Sequence, residues 1–410
     1  MSKYIDLLRE HQESDGKKKP EKKKSDKAGK PADATQNPYR NQEENDNDLI
    51  ESVAELIDEQ HSLEEHPNIA DAYEDDELIA SEDGKAEPQQ PSFSKPNNEL
   101  GFDTSDWLQH VEQTLVSMFS SVQNNQPINI PVLEEHLTTL FDQVQSSSAL
   151  LDDLEFSVQK HNRDNINAYN HADLVAQSLA RMVYTIKTGL QLQKTLPELL
   201  PTVTTAMLHH IGFATIPSEG RVGLSPFSDT AKEQVKQATQ FAIEYLENHH
   251  ISHEQLSITL AQSGEQYDGK GAQGLEGRDI AWVARLTMAV SSFEALTSIY
   301  ASDRMLPRDA IRYIVKNHKR AFDSQMIKAI IDGVSLYPVA IFIQLNTGEI
   351  GQVINVHPQS PLRPIVYISM DKHGHPINER NIDLQKQPNI MIQKCMFEPT
   401  LNGEEEAIDA

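Results

Sequence analysis

Two short segments of this 410-residue chain concentrate the side chains with chemical capacity. The first is Leu208-His209-His210-Ile211-Gly212, where adjacent imidazoles offer nitrogens of the kind that bind transition metals. The second is Glu265-Gln266-Tyr267-Asp268-Gly269-Lys270-Gly271, which runs into Gly274-Leu275-Glu276-Gly277 and then Arg285. Here carboxylates and a guanidinium are separated by glycines. Such a loop can hold itself, its carboxylates capping a helix or pairing with Arg285 and its glycines supplying turns, or it can wrap an anion. The self-held loop is the simpler expectation. The other histidines, among them His249, His250, His253, His318, His373 and His375, share no ligand spacing and read as surface residues.

Helices are expected to carry both segments. His171, Val175, Leu179, Met182 and Ile186 form one apolar stripe over 171–186 that ends on His171. A second amphipathic helix is expected from about Thr230 to Glu247, opened by the capping box Thr230-Ala231-Lys232-Glu233. Trp282 to Thr297 and Asp309 to His318 supply two more, with Gly264 to Gly277 as a glycine-rich loop. Ahead of them, Trp107, Leu108, Val111, Leu115 and Phe119, then Leu133, Leu137, Leu140 and Phe141, predict a helical hairpin over 101–165 packed on the main domain. After Tyr337-Pro338 the pattern turns to strands: Ile341–Leu345, a turn at Asn346-Thr347-Gly348-Glu349, Ile350–Val356, and Ile365–Met370 followed by a turn at Asp371-Lys372-His373-Gly374.

The Leu-His-x-Ile-Gly element followed by the Glu-x-x-Asp-Gly loop and Ala284-Arg285 resembles the HD-GYP family of bacterial cyclic di-GMP phosphodiesterases over residues 166–335. The resemblance implies a mainly α domain, with the helical 101–165 segment as its lead-in and a small β module over 336–397; by composition 398–410 is an acidic tail. It also implies hydrolysis of cyclic di-GMP by two or three metal ions held by His and Asp, since paired metals generate a hydroxide and neutralise phosphate charge. Carried over position by position, the family's first His falls on His171 and the His of its His-Asp pair on His209. Most other ligand positions differ: His210 stands for the bridging Asp, Ala238 for a His, Ser263 and Gly264 for a His pair, and Ser291 for an Asp. The Gly-Tyr-Pro signature reads Gly271-Ala272-Gln273, and Phe213 stands where a phosphate-contacting Lys is expected.

The implied reading is a catalytically inactive member that acts as a signalling or protein-interaction module, with a protein partner and no cofactor. The alternatives are a residual phosphodiesterase with a divalent metal (iron, manganese or zinc), and a cyclic di-GMP sensor that binds without cleaving. His171, His209 and His210 are the candidate metal set, three nitrogens of the kind zinc accepts but with no carboxylate beside them. Packed, hydrogen-bonded core histidines are the preferred state. Arg285, Glu265, Asp268, Gly269 and Gly271 are the candidate nucleotide-binding set.

A net charge of -26 with 38% hydrophobic residues indicates that part of the chain does not fold. Residues 1–100 hold a lysine tract from Lys17 to Lys30 and an acidic stretch from Glu43 to Glu87, and 9–100 are expected to be disordered. The acidic neighbour competes for the lysines, so no nucleic-acid partner is expected. Tyr4, Ile5, Leu7 and Leu8 form a short apolar patch with the spacing of a docking peptide. The lack of a membrane-spanning run or secretory signal and the single cysteine, Cys395, give a cytoplasmic expectation, with Cys395 in the core.

Overall fold

The computed structural model describes residues 102–398 apart from 148, 167, 222–226, 302, 358, 359 and 361. The expected disorder of 1–100, the docking peptide at its start and nearly all of the acidic tail lie outside the described residues.

The chain enters through three helices: α1 (Thr104–Gln123), α2 (Ile130–Ser146) and α3 (Leu150–Asp164). Asp103 starts α1 by accepting from the backbone N–H groups of Ser105 and Asp106, and Trp107, Leu108, Val111, Leu115, Met118, Phe119 and Val122 line its buried face. Helices α4 (Ala172–Gln191) and α5 (Leu196–Leu208) follow, the latter opened by a Thr195–Glu198 capping box. A 3-10 turn (Ile211–Thr215) and the short α6 (Ser218–Arg221) lead to α7 (Asp229–Asn248). Its N-cap is Ser228, which accepts from the N–H of Ala231, so the expected Thr230 capping box is displaced by an earlier hydroxyl. The helical part ends with α8 (Glu254–Ala261), α9 (Trp282–Thr297), α10 (Pro307–His318) and α11 (Ser324–Val334). Helix α10 begins two residues before the expected Asp309 because Pro307 suits the first helical turn, where its missing N–H costs nothing.

Five antiparallel strands close the chain in the order β4-β3-β2-β1-β5: β1 (Phe342–Leu345), β2 (Ile350–Asn355), β3 (Ile365–Met370), β4 (Pro376–Asp383) and β5 (Ile392–Met396). The fold is thus mainly α with a small C-terminal sheet. Two apolar cores run through it. One joins α1 to α3 with α4, α5, α7 and α8; the other joins α4, α9, α10 and α11 with the sheet and includes Cys395.

Candidate functional site

Helix α4 sits at the centre of the molecule, packed against α3, α5, α9 and α11. Its N-terminal end and the α5–turn junction bring the expected histidines into the interior. His209 caps the end of α5 and His210 follows it, their ring centroids 3.9 Å apart, with Phe213 against His210 at 5.1 Å. The guanidinium of Arg181, reaching from the middle of α4, meets one nitrogen of each ring. Its Nη1 is 2.8 Å from Nδ1 of His210 and 3.4 Å from Nε2 of His209.

A guanidinium only donates, so the proton positions follow from the network. Nδ1 of His210 accepts from Arg181, which leaves its proton on Nε2. Nδ1 of His209 lies 3.0 Å from the carbonyl oxygen of Ala206 and must donate to it. Nε2 of His209 is then the acceptor, taking Oγ–H of Ser291 at 2.9 Å together with Arg181. Burial first, and then the Arg181 charge for His209 and the neighbouring His209 and Arg181 for His210, hold both imidazoles well below the ordinary histidine range. Burial pushes Arg181 itself down to about 10.

His171 does not join this pair. It is buried at the N-terminus of α4 in a left-handed conformation (φ 65°), an uncommon state for a residue with a side chain. Its Nε2 donates to Oε1 of Gln123, at the end of α1, at 3.2 Å, and its Nδ1 faces Nη1 of Arg221 at 3.4 Å. Arg221 is fixed in turn by Asp173, with two N–O distances of 2.8 Å. Each of the three imidazoles therefore turns a lone pair toward an arginine.

Gly212 lets the 3-10 turn lie directly on α7: a β-carbon there would come within 1.9 Å of the carbonyl oxygen of Ala238. This close backbone contact is what places Ala238, whose position the resemblance gives to a ligand, beside the histidine junction.

Two family models match the chain. A model described as "HD domain" matches residues 145–326, and one described as "KOW domain associated with HD domain" matches 342–403. The cyclic di-GMP phosphodiesterase PdeB of Borreliella burgdorferi is 26% identical over 188 residues, covering 45% of this chain and 49% of that protein. A cyclic di-GMP phosphodiesterase of Pseudomonas aeruginosa is 24% identical over 278 residues, covering 66% of this chain and 63% of the relative. The matched regions thus span about half to two thirds of these relatives. The HD-domain match and these relatives support an HD-GYP family member. Among solved structures, an HDG"Y"P protein from Bdellovibrio bacteriovorus aligns with a TM-score of 0.45 at 13% identity, covering 58% of this chain and 74% of that one.

The divalent metals implied by HD-GYP membership do not fit the residues present. The nitrogens of His209 and His210 that could coordinate a cation are already accepting hydrogen bonds, and the nearest charge is a guanidinium. Among the described residues no group of three or more His, Cys, Asp or Glu side chains is placed to hold a metal ion.

The HD-GYP loop after α8 is held by itself, as the simpler expectation has it, but with different partners. The buried carboxylate of Glu265 accepts from the N–H groups of Gln273 at 2.6 Å and Leu275 at 2.9 Å, filling the place an anion would take among those donors. A β-carbon on Gly271 would come within 2.4 Å of the α-carbon of Glu265, so only glycine allows this closure. Asp268 pairs with Lys270 at 2.7 Å, and the N–H of Gly269 closes a turn on Gln266. Arg285 does not meet the loop carboxylates. It pairs with Asp323, at the start of α11, and donates from Nε to the carbonyl of Ile280 at 3.0 Å. The candidate nucleotide set is therefore split between the loop and the α9–α11 contact.

Sequence reasoning missed Arg181, Ser291 as a partner of His209, and Arg221. A signal for the first was available: Arg181 is the one strong charge inside Leu179-Ala180-Arg181-Met182-Val183, a position that faces the core. His253 also corrects its reading as a surface residue, since its side chain caps α8 through the N–H of Leu256 and lies 3.4 Å from Glu134.

Among the described residues no helix is long and apolar enough to cross a membrane.

Proposed function

We propose that this HD-GYP protein does not hydrolyse cyclic di-GMP and works instead as a cytoplasmic signalling module that contacts a protein partner. The observation that carries the reading is the commitment of both histidines of the junction: their lone pairs accept from Arg181 and Ser291, where catalysis needs them on metal. Ala238, Ser263, Gly264 and Ser291 at further ligand positions support it. The self-filled loop and the Arg285–Asp323 pair support binding of a partner over capture of the dinucleotide, because a buried phosphate needs uncommitted donors to replace water.

The test is turnover of cyclic di-GMP by the full chain supplied in turn with manganese, iron and zinc. No product above the protein-free control is expected. Metal-dependent turnover that disappears in His209→Ala overturns the reading and restores the phosphodiesterase that the relatives' names describe.

A further inference from the structure

We propose that the cleft between α3, α4 and the end of α9 binds a primary ammonium group, either the free ion or the head of a larger amine. The cleft lies on another face of α4 from the histidine junction, and the proposal holds whatever that junction does.

The first argument is room. Ala176, Ala180 and Tyr184 stand at four-residue intervals on α4, and with Asn162 of α3 and Glu294 of α9 they line a cleft of about 20 Å³. One water-sized group needs about 10–15 Å³. The two alanines leave this space between the helices. Gln159, Ser298 and Ile299, which also line it, are half-buried, so the cleft opens to solvent on their side.

The second argument is an orphaned acceptor. Asn162 is 7% exposed, and its Nδ2 donates to the carbonyl of Ala176 at 3.0 Å. A carbonyl only accepts, so the amide cannot be turned over and the atom left is Oδ1. That oxygen is buried with no hydrogen-bond partner, on a residue that lines the cleft.

The third argument is the balance of donors and charge. Glu294 is buried; its carboxylate accepts from Ser298 and feels the charge of Arg181 without a direct ion pair. The neighbouring donors are committed: Ser298 to Glu294, Nε2 of Gln159 to the hydroxyl of Tyr184 at 3.0 Å, and the hydroxyl of Thr297 to the carbonyl of Phe293 at 3.1 Å. Acceptors are therefore in excess. The carboxylate repels an anion, and a lone water would satisfy Asn162 but bring no counter-charge. A single carboxylate in the field of Arg181 is too little for a divalent metal, which needs several oxygens around it. A compact monovalent cation that donates several hydrogen bonds meets both acceptors, and that is the chemistry of a primary ammonium.

The experiment compares ammonium, methylammonium, potassium and tetramethylammonium chlorides at matched ionic strength. It uses the full chain at pH 8, where Glu294 is ionised, and reads thermal unfolding. Ammonium should give a saturable rise in Tm, about 3 °C at roughly ten times its half-saturating concentration. Potassium and tetramethylammonium donate no hydrogen bond and should not. A methylammonium rise that matches ammonium identifies the head of a larger amine as the ligand, and a rise with ammonium alone identifies the free ion. Glu294→Gln keeps the shape of the cleft and should weaken ammonium about tenfold or more. Asn162→Leu removes the orphaned oxygen and should do the same; because it also removes the bond to Ala176, Glu294→Gln is the deciding variant. Equal Tm in all four salts overturns the proposal, as does potassium matching ammonium or a shift of unchanged size in Glu294→Gln. None of these outcomes depends on cyclic di-GMP turnover, which tests the functional reading alone.

Discussion

At the residue scale, buried polar side chains set how the site responds to solution conditions. Burial raises the Glu294 carboxyl from its ordinary 4.5 to about 7, opposed by Arg181 and by a hydrogen bond from Ser298. The folded state then binds this proton more tightly than the unfolded state. Its contribution is fully present below about pH 4.5 and is lost as pH rises through 7, a change on the order of 3 kcal/mol. Glu294→Gln should remove that slope, so the Tm difference between variant and wild type should grow between pH 5 and pH 7.5 in favour of the variant; a difference independent of pH counts against it. Gly212→Ala is expected to cost about 3 kcal/mol, because the 1.9 Å approach to Ala238 is to backbone that cannot swing away. A Tm within 2 °C or so of wild type would show that the turn relaxes cheaply. The histidine pair was legible in the sequence because it sits in the Leu-His-x-Ile-Gly element that carries the family resemblance, which the equally adjacent His249-His250 does not. Their partners were not, because Arg181 and Ser291 are 28 and 82 residues away from His209 and only the packing of α4 and α9 brings them close.

At the element scale, the lead-in is fastened to the central helix by charge as well as by apolar contact. Lys187 on α4 meets Asp152 at 2.7 Å and Glu155 at 2.5 Å on α3, with the lysine and Glu155 both buried. The two carboxylates hold Lys187 above its ordinary range, while burial pushes Glu155 up to about 7. The two shifts point to opposite charge states for Glu155; the short contacts to both carboxylates favour a charged lysine shared between them. Lys187→Met leaves those carboxylates in the interior without a cation, and a loss of about 3–5 kcal/mol in denaturant unfolding is expected. A loss below about 1 kcal/mol would mean that the cluster is already hydrated. Helices with strong apolar stripes, such as α1 and α2, were legible from spacing alone. Strand β4 was not: Pro376-Ile377-Asn378-Glu379-Arg380-Asn381-Ile382-Asp383 is mostly polar because it lies at the sheet edge with much of its length in solvent, so no alternation marks it. The α7 start was misplaced for a local reason, two hydroxyls within three residues, of which Ser228 is the one in extended conformation.

At the scale of the whole molecule, the lead-in, the HD-type helices and the sheet share their cores. Leu115 and Leu137 belong to the same apolar cluster as Val175 and Met207, and Phe293 and Ile330 to the same one as Val353 and Ile368. The HD-domain match also begins at residue 145, inside the lead-in. Calorimetry of the full chain should therefore give one cooperative transition for the described part, and removal of 101–165 should leave a protein that aggregates, since the face that α1 and α2 cover would be bared. Two resolved transitions, or a stable soluble truncation, would show that the segments fold separately. The order of helices followed by strands could be read from the change in apolar period near Tyr337; the sharing of cores could not, because it depends on which faces meet.

The guanidinium that donates to both His209 and His210 also limits the routes by which this site can change. A carboxylate introduced at position 210 would lie within reach of Arg181 and form an ion pair with it before any cation arrived. Removing Arg181 first would leave His209 and His210 without the guanidinium donor they share. Neither single step yields a metal site, and each disturbs the interior. A metal site at this junction would require both positions to change together, so the arrangement resists single substitutions in that one direction.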